Sequence, residues 1–192
     1  MKGLILSGGQ GTRLRPFTYT GAKQLVPVAN KPVLFYAIEN LVQADIRDIA
    51  IVVGDTHEQI KSACGNGDLF GAKLTYIRQK APLGIAHGVK IAQPFIGDEK
   101  FILFLGDNFV RDGIVSLVRQ FQEGTMNSLI VLSQVANPQD FGVAKCVDGR
   151  VIGVVEKPKD PPSNWAVTGI YMFDHNIFTA GCYGLFFLAR LL

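Results

Sequence analysis

The chain has 192 residues, of which 48% are hydrophobic and 18% charged, and its formal net charge is +3. That length suffices for one large domain with its own core, and the apolar balance excludes a disordered chain. Lys and Arg never occur in blocks, so the small cationic excess points to local anion contacts and no nucleic-acid face is expected.

Cys64, Cys146 and Cys182 are odd in number and far apart, without metal-type pairing, which suits free buried thiols in a reducing cytoplasm. The N-terminal aliphatic run is too short for a secretory signal. The apolar stretch 184–192 falls short of the ~20 residues a membrane span needs, so no membrane partner is expected.

Leu4-Ile5-Leu6 is a continuous apolar run bounded by glycines, the pattern of a strand covered on both faces of a parallel sheet. Such a strand directs its C-terminal end at a ligand. Gly8, Gly9 and Gly11 then allow positive φ and close backbone approach, so that successive N–H groups can line an anion concavity. Arg13, Arg15 and Lys23 add charge, and Arg13 can hold a phosphate by two parallel hydrogen bonds. The loop lacks the Gly-Lys-Ser/Thr of a P-loop, and Leu14 stands where a dinucleotide fingerprint needs its third glycine. From this stretch alone, a tight turn with solvated arginines reads equally well.

Further on, Asn30-Lys31-Pro32 is expected to open a helix with Pro32 in its first turn and Leu34, Ile38 and Leu41 as its buried stripe. Residues 48–53 read as a second strand, Thr56 as the cap of a short helix through Ala63, and 73–78 as a third strand. Residues 84–92 read as a helix, 101–105 as the most hydrophobic strand, 113–123 as a helix and 129–132 as a strand. Asp148-Gly149 between two valine-rich runs signals a hairpin, and 167–173 is a last strand. Repeated strand-then-helix units predict an α/β fold: a three-layer, doubly wound, mostly parallel sheet with a β-hairpin excursion in its C-terminal part.

The string Gly8-Gly9-x-Gly11-Thr12-Arg13-Leu14-x-Pro16, then Lys23 and Pro27, then Asn30-Lys31-Pro32-Val33, resembles the signature of the sugar-1-phosphate nucleotidyltransferases. Lys23-Gln24-Leu25-Val26-Pro27 is close to the glucose-1-phosphate thymidylyltransferases among them. The resemblance implies a Rossmann-like nucleotidyltransferase fold and transfer from dTTP to glucose 1-phosphate with Mg²⁺, giving dTDP-glucose and pyrophosphate. It implies that Leu6, Gly8, Gly9, Gly11, Thr12, Arg13, Gln24, Gln79, Pro82 and Gly84 meet the nucleotide, and that Arg13, Lys23 and Lys157 serve as catalytic cations. It assigns the metal to Asp107 and the sugar to Gly142, Glu156, Lys157 and Val167, and a homo-oligomer is among its implications.

Each assignment has a physical rationale and a plainer alternative. Asp107 follows the most buried strand, where a hard oxygen can bind Mg²⁺; an Asp turn at a strand end reads the same way. The Gln79 amide can donate and accept at once, as a pyrimidine edge requires; the alternative is a proline turn with Gln79 solvated. Lys157 can meet a phosphate while Glu156 accepts sugar hydroxyls, or the two form a solvated pair. Trp165 reads as core or rim, and the helical pattern gives His87 no role.

The match runs from about residue 2 to about 178, giving a nucleotidyltransferase domain over 1–178 and a divergent apolar tail over 179–192 that holds no Asp or Glu. The family's later Gly-Glu-Leu-Glu-Ile-Thr-Asp stretch, with a second metal carboxylate, is not found. The expectation is therefore a domain incomplete at its C-terminus, with weak turnover. A nucleotide-binding fragment stays open, as does a UTP-using relative, since the two bases differ by one methyl worth about 1–3 kcal/mol.

Overall fold

The computed structural model describes residues 1–9 and 21–179. Strand β1 (Lys2–Ser7) is central. After a turn of 3-10 helix over Lys23–Leu25 come β2 (Pro27–Val28), β3 (Lys31–Pro32) and helix α1 (Val33–Gln43). Next are β4 (Asp48–Val53), α2 (His57–Cys64), β5 (Lys73–Arg78), α3 (Gly84–Ile91), α4 (Gln93–Ile96) and β6 (Phe101–Leu105). The chain continues through α5 (Val115–Glu123), β7 (Ser128–Gln134), β8 (Gly142–Val147), β9 (Arg150–Glu156), β10 (Trp165–Phe173) and α6 (Asn176–Thr179).

The strands β5, β4, β1 and β6 lie side by side in that order and are parallel, so their C-terminal ends share one edge. Continuous apolar sequence is what such strands need, because both faces are covered. In β1, Ile5 packs into one core and Leu4 into the other. The first core gathers Leu34, Ile38 and Leu41 of α1, Ile60 of α2, and Val118 and Phe121 of α5. The second gathers Val89 of α3 and Ile96 of α4. The sheet is thus the middle of three layers. At Gly88, a Cβ would stand 2.9 Å from Leu6 Cδ2, so the missing side chain lets α3 lie close on β1.

Beyond β6 the sheet turns antiparallel. Along one edge β10 pairs with β7; along the other, Ile170–Phe173 pairs with β6 and Ala166 with β8. The backbone of residues 167–169 therefore lies between two partners, next to a register shift in the β7 ladder and a positive φ of 78° at Gly169. Asp148 and Gly149 both take positive φ, 48° and 74°, and close the β8–β9 hairpin as their sequence predicts.

Three local expectations are corrected. Pro32 is outside the helix: Ala29 and Asn30 turn the chain with φ of 48° and 64°, β2 pairs with β3, and Pro32 keeps an extended ψ of 135° at the N-cap of α1. Thr56 occupies the N-cap of α2 with a ψ of 16°, and its side chain makes no capping hydrogen bond. Cys146 is exposed, because it sits on the hairpin away from both cores, whereas Cys64 is buried. Cys182 and the apolar stretch 184–192 lie outside the described residues. Among the described residues no helix is long and apolar enough to cross a membrane.

Candidate active site

Two hollows open at the shared C-terminal edge. The first, about 310 Å³, is lined by Gly8, Gly54, Asp55, Gln79, Lys80, Ala81 and Pro82, which follow β1, β4 and β5. The second, about 470 Å³, is lined by Ile85, Leu105, Asn108, Gly142, Glu156, Val167, Thr168, Gly169 and Tyr171. The second hollow occupies the break in pairing along β10, where Asn108 Nδ2 donates to the Thr168 carbonyl.

The glycines of the first hollow act through space. Neither Gly8 nor Gly9 takes a positive φ, contrary to the expectation from the loop's sequence. What matters is the missing Cβ. At Gly8 it would lie 3.1 Å from Gln79 Oε1, and at Gly9 3.0 Å from Lys23 Cε. Lys23 reaches past Gly9 to pair with the Asp107 carboxylate, which follows β6. Lys23 thus lies beside Gly9, the neighbour of Gly8 in the first hollow, and Asp107 immediately precedes Asn108 of the second.

Gln79 is fixed at both ends. Its backbone N–H donates to the Val53 carbonyl at 2.8 Å, continuing the β4–β5 register. Its side-chain Nε2 donates to the Gly84 carbonyl at 3.2 Å and lies 2.9 Å from His87 Nδ1. Nothing in the helical period of α3 marks His87 out. Its contact exists only because α3 folds back over the end of β5.

Of the residues the sequence singles out, Gly8, Gln79 and Pro82 line the first hollow, and Gly142, Glu156 and Val167 the second. Leu6 lies behind, against Gly88. Gln24 is not brought to the cavity: it is 1% exposed, and its Oε1 has no partner among the described residues. Lys157 follows β9 with a φ of 42°; its side chain is exposed and its N–H donates to the Phe141 carbonyl at 3.0 Å. Trp165 lies at the rim, 38% exposed. Gly11, Thr12, Arg13 and Arg15 lie outside the described residues. Sequence alone did not point to Asn108 or Ile85, whose place in the second hollow depends on how β10 splits its pairing.

In the second hollow burial pushes the Tyr171 hydroxyl up to about 12, and the Glu156 carboxylate adds to that rise. At neutral pH Tyr171 is therefore a neutral hydroxyl.

A family model described as nucleotidyl transferase matches residues 2–182. The chain belongs to the nucleotidyl transferase family. Among its relatives is the glucose-1-phosphate thymidylyltransferase of Streptomyces antibioticus, 50% identical over 94% of this chain and 51% of that protein. The low-salt glycan biosynthesis nucleotidyltransferase Agl11 of Haloferax volcanii is 48% identical with the same coverage. A Bacillus anthracis crystal structure assigned as a glucose-1-phosphate thymidylyltransferase, in complex with a sucrose, matches with a TM-score of 0.89 at 39% identity, covering 93% of this chain and 73% of that one. This nucleotidyl transferase chain spans about half the length of the curated relatives it matches.

Asp107 presents a single carboxylate, and among the described residues no three metal-binding side chains cluster. Its partner is the Lys23 ammonium, so the carboxylate already faces a position that a cation can take. A hydrated divalent ion fits there if phosphate oxygens supply other ligands.

Proposed function

We propose that the chain carries the nucleotide- and sugar-binding body of a nucleotidyltransferase that joins dTTP to glucose 1-phosphate, releasing pyrophosphate and forming dTDP-glucose. The observation that supports this most is the Lys23–Asp107 pair, with Lys23 packed on Gly9 beside the first hollow and Asp107 next to Asn108 of the second. Thymidylyl transfer is favoured by the name of the Streptomyces antibioticus relative.

In this reading a phosphate oxygen of glucose 1-phosphate attacks the α-phosphorus of dTTP. The bond from that phosphorus to the bridging oxygen of the β-phosphate breaks in line, and pyrophosphate leaves. The protein's task is to position the reactants and neutralise charge. Lys23 and Arg13 meet the triphosphate, and Gly8, Gln79, Pro82 and Gly84 surround the base. Gly142, Glu156 and Val167 hold the sugar hydroxyls and Lys157 its phosphate. Asp107 would hold Mg²⁺, which would neutralise and orient phosphate oxygens. The unpaired cysteines suit a cytoplasmic setting.

The test is pyrophosphate release by the purified chain with Mg²⁺, dTTP and glucose 1-phosphate. Turnover that falls about a hundredfold or more in Asp107→Ala supports the reading. Turnover unchanged in that variant, or no binding of dTTP at all, would overturn it.

A further inference from the structure

We propose that His87 is a positioning residue that locks the Gln79 amide in one orientation, and thereby restricts the first hollow to pyrimidines that carry a proton on N3. The proposal rests on the nucleotide-binding reading given above.

The orientation of the amide follows from its neighbours. The Gly84 carbonyl can only accept, and it lies 3.2 Å from Gln79 Nε2. Turning the amide over would set its oxygen against that carbonyl, two acceptors face to face. The nitrogen therefore belongs where it is, with one hydrogen directed to Gly84 and the other to His87 Nδ1 at 2.9 Å. An imidazole nitrogen that accepts carries no proton, so His87 holds its proton on Nε2.

Both donor hydrogens of Gln79 are then occupied, and among the described residues only Oε1 is left without a partner. It is aimed at the space over Gly8, where a Cβ would lie 3.1 Å away, on the wall of the first hollow. The amide that sequence suggests could donate and accept at once is left as an acceptor alone. An acceptor matches the N3–H of thymine or uracil. Against cytosine, whose N3 is itself an acceptor, it faces a second lone pair, and a buried polar group without its partner is what makes a site reject a base. The same contact cannot separate dTTP from UTP, which both carry N3–H.

His87 reaches Gln79 because Gly88, the next residue, lets α3 lie against Leu6 of β1. Without the imidazole acceptor the second Nε2 hydrogen is released, and the amide loses one of the two contacts that hold it. It can then rotate to offer NH₂ to cytosine.

Two measurements test this. Nitrogen-15 NMR of the free wild-type chain should show His87 with Nε2 protonated and Nδ1 bare, whether or not any nucleotide binds; a protonated Nδ1 at neutral pH overturns the proposal. Binding of dTTP, UTP and dCTP to the wild type, His87→Phe and His87→Gln then reads the consequence. The wild type should prefer dTTP and UTP over dCTP by about a hundredfold, since a site loses that much or more when its polar group is left unpaired. His87→Phe should reduce this preference about tenfold or more, and His87→Gln, which restores an acceptor, should recover part of it. An unchanged preference in His87→Phe overturns the proposal. If the wild type binds no nucleotide, the functional reading itself fails, while the tautomer is still decided by the NMR spectrum.

Discussion

The Lys23 ammonium lies against the Asp107 carboxylate and so joins the segment after the glycine-rich strand end to the loop after β6. If Asp107 holds the metal as proposed, a cationic side chain and a metal ion would compete for one anionic group. An entering triphosphate would then draw Lys23 away by its stronger negative charge and free the carboxylate, so nucleotide and metal should bind cooperatively. Ion pairs this exposed are worth roughly 0.2–1 kcal/mol, which limits the competition to about fivefold. Lys23→Met should accordingly bind Mn²⁺ up to about fivefold more tightly than the wild type without nucleotide. It should also gain less from added dTTP, as read by electron paramagnetic resonance titration. Equal Mn²⁺ affinity in the two proteins would rule out the competition.

A second prediction concerns how the far side of the sheet is tied together. Lys100, just before β6, directs its ammonium to the carbonyls of Phe121, Gln122 and Gly124 at 3.0, 3.3 and 3.3 Å, and lies 5.0 Å from the Phe121 ring centroid. These carbonyls end α5, where a helix carries partial negative charge and its last carbonyls lack N–H donors within the helix. Lys100→Met keeps the stem and removes the donors. The expected loss is roughly 1–2 kcal/mol, or a melting temperature lower by about 2–8 °C. A melting temperature unchanged within a degree would show that water replaces the ammonium without loss.

The second hollow offers a test of sugar recognition separate from stability. A Cβ on Gly142 would stand 3.0 Å from Glu156 Oε2. The atom in the way is the end of a flexible side chain, so Gly142→Ala should fold normally and shift only the carboxylate. Losing one aligned hydrogen bond to a charged group costs about 1.5–3 kcal/mol. The KM for glucose 1-phosphate should therefore rise about tenfold or more while that for dTTP stays put. A rise in both would mean that Glu156 does not act on the sugar alone.

Three of the four parallel strands, β1, β4 and β6, were legible because burial on both faces leaves an unbroken apolar run, as in Ile49 to Val53, whereas β5 showed itself by the alternation of Lys73 to Arg78. The hairpin at Asp148-Gly149 was legible because few residue pairs tolerate two positive φ values. The turn at Ala29-Asn30 imposes the same demand, but alanine at a φ of 48° gives no sequence signal, so Pro32 reads as helical when it is not. The Gln79–His87 contact and the gap in β10 are harder still. One depends on the depth at which α3 settles over β1 and the other on a register shift across β7, and neither is written in any local run of residues. Chemistry-bearing residue types were visible in the sequence, whereas which of their hydrogens remain free was not.

Alkaline pH should weaken the fold in a definite window. Burial pushes the Cys64 thiol from 9.0 up to about 11. Burial first, and then the charge of Cys64, push the Tyr76 hydroxyl from 10.0 up to about 12. Burial and Glu156 raise Tyr171 to about 12 as well. All three groups are neutral when protonated, and the fold favours the neutral form. Below pH 9 both the folded and the unfolded chain hold these protons and stability is unaffected. Above it the unfolded chain releases its protons first, so unfolding gains ground steadily, with the Cys64 contribution complete near pH 11 and those of the tyrosines near pH 12. Cys64→Ala removes the earliest of the three and lowers the charge pressing on Tyr76. Urea midpoints measured from pH 8 to 11 should fall for the wild type from about pH 9 onward, and fall less steeply for Cys64→Ala; parallel curves would mean that the thiol titrates at its ordinary value inside the fold.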